Sequence, residues 1–228
     1  MYTIDIVKAR SVIDMAGNNT IITIGRQYGS GGHEIGATIA HDMGLKLYDK
    51  EMLKRAAKES GLCEELFETH DEKPTNSFLY SLIMDTYSLG YSSGVYADMP
   101  INHKVFLAQF DTIKKIAGEG PCVMVGRCAD YALEEFDNVI NVFIYADLEA
   151  RIRRVARIYD ITDAKAKDII VKTDKKRASY YNYYTNKTWG DAKSYDLCLN
   201  SAKLGIGGTA KAIMDYVNLK NKIEKPRL

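Results

Sequence analysis

The apolar positions change period along the chain, and each change marks an element. Thr20–Ile24 (TIITI) is a short β-branched run bounded by glycine, the pattern of a buried strand. A glycine-rich segment, Gly25–Gly32, follows. From Glu34 the apolar residues return at helical spacing as Ile35, Ile39, Ala40 and Met43. They stop at Gly44, a residue suited to a helix C-terminus. The chain therefore opens as strand, glycine loop, helix. Leu45–Tyr48 predicts a second short strand, and Asp49 a capped helix running to Ser60.

Residues 61–118 read differently. Helices are expected near 64–70, 76–88 and 103–117, with no strong strand among them, which makes the segment a helical insertion. Alternation then resumes. Cys122–Val125 (CVMV) and Asn138–Tyr145 (NVINVFIY) predict strands; helices are expected from Asp147 and from Thr162 to about Tyr184. A polar loop with the single tryptophan, Trp189, precedes a last strand, Tyr195–Asn200, and a last helix, Gly207–Asn218. Apolar strands alternating with helices indicate an α/β fold around a buried parallel sheet. Such sheets bind ligands beyond the carboxyl ends of their strands. Gly25–Gly32, Gly126-Arg127 and the arginines after Tyr145 fall at those ends.

Length and composition narrow the class. The 228 residues suit one domain with an insertion, and 46% hydrophobic with 27% charged residues is ordinary for a soluble globular protein. No apolar run reaches the roughly 18 residues of a membrane span. The start, MYTIDIVKARSV, lacks a secretory apolar core, so a cytoplasmic protein is expected. Cys63, Cys122, Cys128 and Cys198 form no CxxC, which argues for plain thiols rather than a metal site. The net charge of +1 argues against a nucleic-acid partner. Charge is nonetheless uneven: residues 151–187 hold 11 Lys or Arg against 4 acids, a net of +7.

The loop Gly25-Arg-Gln-Tyr-Gly-Ser-Gly-Gly-His-Glu-Ile-Gly36 has four glycines in its first eight positions. Glycines let a backbone turn its N–H groups inward, and the following helix adds unpaired N–H groups at its positive dipole end. The result is an anion cradle of phosphate size; the alternative is a tight turn with no ligand. The loop departs from the usual phosphate-binding motif, because Gly32 stands where lysine belongs and His33 where the Mg²⁺-binding hydroxyl belongs. Arg26 and His33 are the candidate replacement donors. Among other residues, Arg151 and Arg154 share a helix face, with Arg157 extending it and Arg153 pointing elsewhere. Tyr180, Tyr181, Tyr183 and Tyr184 either stack on bases or pack as a helix face.

The blocks GRQYGSGGHEIG, LYDKEML, VMVGRCADY, VFIYADLEARIRR and YDLCLN, in that order over about residues 20–217, resemble the cytidylate kinase-like family of P-loop proteins. The resemblance implies a P-loop NTPase-type three-layer α/β fold within residues 20–228, after an extension of residues 1–19. It also implies a monophosphate-binding insertion (61–118), a mobile basic lid (151–187), and ATP with Mg²⁺ as cofactors. Gly25, Arg26, Gly29, Ser30, Gly31, Gly32 and His33 then hold the donor phosphates. Arg127 and Asp130 resemble the acceptor-binding arginine and aspartate, with a shifted register at Asp130. Asp49 faces the acceptor or Mg²⁺, or only caps its helix; Lys50 is a further phosphate candidate. Arg151, Arg154 and Arg177 close over the transferred group, whose charge guanidinium forks offset. The implied activity is transfer of the ATP γ-phosphoryl group to a nucleoside monophosphate such as CMP. The alternatives are a non-catalytic nucleotide-binding regulator and a kinase of another small metabolite. A homodimer surface is expected if Phe78, Leu82 and Phe106 are exposed.

Overall fold

Strand β1 (Ile21–Arg26) is apolar on both faces, and the sheet is built around it. In the computed structural model, which describes residues 19–62, 65–66 and 100–224, four more strands join it. These are β2 (Lys46–Tyr48), β3 (Cys122–Val125), β4 (Val139–Tyr145) and β5 (Leu197–Asn200). The order is β2-β3-β1-β4-β5, and every pairing is parallel. Ile24 lies beside Val125, and Arg26 beside Ile144. The carboxyl ends of the three central strands therefore come level, which places the loops that follow them side by side.

The helices are α1 (Gly32–Met43), α2 (Lys50–Ser60), α3 (Ile101–Gly118), α4 (Ala129–Ala132), α5 (Leu148–Tyr159), α6 (Asp163–Thr185) and α7 (Ser201–Glu224). One sheet face is covered by Ile35, Ile39 and Met43 of α1 with Ala210, Ile213 and Val217 of α7. The other face meets Ile113, Ile116 and Ala117 of α3, with Met52 of α2 and Leu133 just after α4. These two clusters make a three-layer α/β core, in which each fully buried isoleucine is worth about 1.5–3 kcal/mol over an exposed one. α6 closes a third cluster through Tyr180, Tyr181 and Tyr184, packed on Phe106 and Leu107. The tyrosine run is thus a packed face.

Most expected elements are present within two residues of their expected ends. Gly44 ends α1 at φ 65°, and Thr162 caps α6 by accepting from the Lys165 amide at 3.3 Å. The last helix differs. It starts at Ser201, directly after β5, and is broken at Gly205 (φ 68°, ψ 177°). The glycines there mark a kink inside the helix rather than the loop before it. Phe106 is 1% exposed and so lies in the core, not on a dimer surface. Cys122 and Cys128 are buried free thiols, and burial pushes the Cys122 thiol up to about 12. The expected extension up to residue 18, the helix near 76–88, most of that near 64–70, and Cys63, Phe78 and Leu82 lie outside the described residues. No helix of the described residues is long and apolar enough to cross a membrane.

Candidate phosphate-binding cleft

The glycine loop leaves β1 and is tied to the next strand at once. The Gln27 amide donates to Ile144 O at 2.9 Å, and Gln27 Oε1 accepts from the Ala146 amide at 3.2 Å. Gly29 and Gly31 take φ of 78° and 81°, values that a side chain resists. Ser30 between them is buried, its hydroxyl donating to Gln27 O at 2.8 Å. From below, Ser201 Oγ donates to Ser30 O at 2.6 Å. The loop is thus a preformed turn that ends on the N-terminus of α1.

In front of this loop lies a cleft of about 650 Å³, whose lining includes Gly29, Gly31, Gly32, Arg26, Lys50 and Arg154. His33, Glu34, Asp49, Glu51 and Arg177 border it as well. Arg154 reaches across Gly31 and pairs with Glu34. Arg177 lies over the Tyr28 ring, 5.6 Å from its centroid, and donates to Arg26 O at 3.2 Å. Arginines and helix-end amides around a glycine turn can hold an anion, and Glu34, Asp49 and Glu51 bring carboxylates to the same cleft. Behind the loop a second space of about 380 Å³ runs between α5 and the start of α7. Arg153 and Arg157 line it with Ala150, Ala202 and Ile206. Arg153, expected to point elsewhere, therefore borders the loop from its far side.

Asp49, on the border of the cleft, is held from the end of β3. Gly126, Arg127 and Cys128 have φ of 79°, 56° and 55°, three consecutive left-handed residues that turn the chain back under the loop. Two of them carry side chains, so this corner stores strain. Arg127 is 5% exposed. Its Nη1 donates to Asp49 Oδ1 at 2.6 Å and to Val125 O at 3.2 Å. His33 Nδ1 lies 2.9 Å from Asp49 Oδ2. Asp49 directly precedes α2, yet its side chain makes no capping hydrogen bond. Burial raises its carboxyl, but Arg127, with help from Arg26 and His33, outweighs this and holds it below the usual carboxylate range.

Two expected site residues lie elsewhere. Asp130 does not meet Arg127: it accepts from the Tyr181 hydroxyl at 2.6 Å, and burial pushes its carboxyl up against the opposing effect of that bond. Asp130 and Arg127 nonetheless line one small inner space, with Arg26 and Tyr181. Arg151 does not close over the cleft. It is 7% exposed beneath the loop, with Nε donating to Ala146 O at 3.0 Å and Nη1 to Asp174 Oδ2 at 2.5 Å. Asp174 Oδ1 accepts the Tyr28 amide at 2.7 Å. Asp174 was not singled out from sequence, although it is one acid within Lys172–Arg177, where four of the six residues are basic.

Comparisons with known proteins bear on the family and the fold. The crystal structure of an uncharacterized protein from Eubacterium ventriosum ATCC 27560 is similar, with a TM-score of 0.66 and 27% identity over 87% of this chain and 98% of that one. Shikimate kinase from Bacteroides thetaiotaomicron matches with a TM-score of 0.51 and 12% identity, over 87% of this chain and 98% of that one. Shikimate kinase from Acinetobacter baumannii, in complex with shikimate, matches at 0.50 and 12%, over 93% and 99%. At these identities the shikimate kinases show the fold alone. No curated protein matches the chain. Family and fold together support a nucleotide-binding kinase and leave its acceptor open. The model of the cytidylate kinase-like family matches residues 21–203, and the chain belongs to that family.

Proposed function

We propose that this protein is a kinase that binds ATP in the cleft and transfers its γ-phosphoryl group to a small acceptor, a nucleoside monophosphate in the first instance. One observation carries the reading: a preformed glycine turn opens onto a cleft bordered by Arg26, Arg154 and Arg177. Backbone amides of Gly29–Gly32 would hold the donor phosphates, and the space bordered by Ala150, Ala202 and Ile206 would take the donor base. Arg154 and Arg177 would offset charge on the transferred group. Phosphoryl transfer asks little covalent chemistry of a protein, so positioning and charge account for most of the acceleration.

The residues present fit ATP phosphates through the glycine cradle and its cations. Asp49 and Glu51 border the same cleft and are the carboxylates that would hold a Mg²⁺ carried on those phosphates, an ion that neutralises phosphate charge. The acceptor would sit at the Arg127 end. A second reading, a different small metabolite as acceptor, draws support from the pairing there. Arg127 is engaged by Asp49 and Asp130 by Tyr181, whereas the resemblance implies that Arg127 and Asp130 help hold a cytidine nucleotide. The test is ATP turnover against a panel of nucleoside monophosphates and small hydroxyl metabolites, with the product identified by phosphorus NMR. Turnover with a monophosphate supports the first reading and turnover with an alcohol the second. ATP binding without transfer to any acceptor overturns both in favour of a nucleotide-binding regulator.

A further inference from the structure

The lysine of an ordinary phosphate-binding loop comes from the position that Gly32 occupies here. The structure shows what fills the space. A Cβ at Gly32 would lie 2.6 Å from Arg26 Cβ and 3.0 Å from Arg26 Cγ. The Arg26 stem thus passes where a side chain at position 32 would have to start. Its head continues to Gly126, where a Cβ would lie 2.7 Å from the Arg26 Cζ. Two glycines, one from the loop and one from the end of β3, therefore form the walls of a channel for this one side chain. The Arg26 backbone is itself fixed, because it pairs with Ile144 at the end of β1 and its carbonyl accepts from Arg177.

We infer that Arg26 replaces the missing loop lysine, and that Gly32 and Gly126 are glycines because the Arg26 side chain lies against both. The inference rests on the proposed ATP site. Arg26 borders the cleft beside Gly29, Gly31 and Gly32, and it also borders the inner space behind Gly126 with Arg127. Its guanidinium thus stands between the donor loop and the Arg127 corner. A lysine entering from the first turn of α1 brings a point charge to the donor phosphates. An arginine entering from the end of β1 brings a planar fork, which binds phosphate oxygens through parallel N–H groups.

The experiment is reciprocal exchange. Wild type, Arg26→Ala, Arg26→Gln, Gly32→Lys and the double variant Arg26→Gly/Gly32→Lys, which also removes the Arg26 Cβ that a side chain at position 32 would meet at 2.6 Å, are titrated calorimetrically with ATP and with inorganic tripolyphosphate, after thermal unfolding has confirmed that each is folded. Losing a charge-assisted phosphate contact should weaken both ligands about tenfold or more in Arg26→Ala and Arg26→Gln. Gly32→Lys alone should also weaken binding, because its stem meets Arg26. In the double variant the lysine gains the vacated space, and binding should recover to within a few-fold of wild type. The inference is overturned if folded Arg26→Gln binds both ligands as wild type does, or if the folded double variant binds no better than Arg26→Ala. If the double variant does not fold, Arg26→Gln decides the matter alone. Failure of the kinase reading looks different: wild type then binds tripolyphosphate but not ATP, and the Arg26 comparison still runs on tripolyphosphate. Wild type that binds neither overturns both.

Discussion

Arg151 and Asp174 form a buckle under the glycine loop. Asp174 accepts from Arg151 Nη1 through one carboxylate oxygen, at 2.5 Å, and from the Tyr28 amide through the other, at 2.7 Å. Arg151 in turn donates to Ala146 O at 3.0 Å and to Tyr28 O at 3.3 Å. The pair joins the end of β4, the loop and α6. Val155, one helical turn after Arg151, would meet a Gly29 Cβ at 2.8 Å, so α5 presses on the same loop. The segment expected to be a basic lid is therefore anchored to the phosphate loop at this point.

Removing Asp174 leaves a buried guanidinium without its counter-charge. Breaking such a pair costs about 3–5 kcal/mol, toward the lower figure where one partner is partly solvated. Asp174→Ala should unfold at clearly lower urea concentration than wild type. Replacing both residues, as Arg151→Met/Asp174→Leu, should recover much of that stability while ATP binding stays weakened, because nothing then holds the Tyr28 amide. Equilibrium urea unfolding and ATP calorimetry separate the two effects. Full recovery of ATP affinity in the double variant would show that the buckle does not position the loop.

Arg127→Ala should separate acceptor from donor. Arg127 does not line the cleft itself but is bound to Asp49, which borders it, and under the proposed assignment to the acceptor its loss should raise the acceptor KM at least about tenfold while the ATP dissociation constant changes little. Asp49 also loses its main partner, and stability should fall with it. Asp49→Asn/Arg127→Met serves as the control with that charge imbalance removed. Weakened ATP binding in both variants would place Arg127 on the donor side instead.

The sequence made the sheet and the loop legible because each rests on a local signal. Thr20–Ile24 is β-branched and the glycines of the loop stand next to it, so strand and turn are read from neighbours alone. The side-chain partners are not local. Arg127 and Asp49 are 78 positions apart, and Tyr181 and Asp130 are 51 apart. The resemblance implied that Arg127 and Asp130 both serve the acceptor, with a shifted register at Asp130; in the structure Arg127 pairs with Asp49 and Asp130 with Tyr181, partners that no local pattern announces. Helical spacing correctly placed Arg151 and Arg154 on one side of α5. It could not tell which of them would be buried, because that depends on Asp174 arriving from the next helix.

The aromatic cluster under α6 gives a stability prediction that is independent of the nucleotide site. Tyr184 is fully buried and stacks on Phe106, with ring centroids 4.0 Å apart and planes 9° from parallel. Its hydroxyl donates to Asn102 O at 3.3 Å. Tyr184→Phe keeps the stack and loses one hydrogen bond, a cost of about 0.5–1.5 kcal/mol. Tyr184→Ala removes the ring and should cost about 3–5 kcal/mol. Thermal and urea unfolding would read both. Near-equal losses in the two variants would mean that the hydroxyl, and not the stacked ring, holds the cluster.

Asp130 gives the pH dependence. Burial raises its carboxyl above the ordinary value of about 3.9, although the Tyr181 hydroxyl works in the opposite direction. Over the window from that ordinary value up to the raised one, the folded protein holds a proton that the unfolded chain has released. Stability contributed through this group therefore falls as pH rises through the window and levels off above it. Asp130→Asn keeps an oxygen that can accept from Tyr181 and has no charge to bury. It should match wild type most closely near pH 4 and become progressively more stable than wild type as pH rises, with the gap constant once wild-type Asp130 is ionised. Urea unfolding of both proteins from about pH 4 to 8 measures the gap directly. A gap that does not change with pH would show that the Asp130 carboxyl titrates alike in the folded and unfolded chains, and that its contact with Tyr181 offsets its burial.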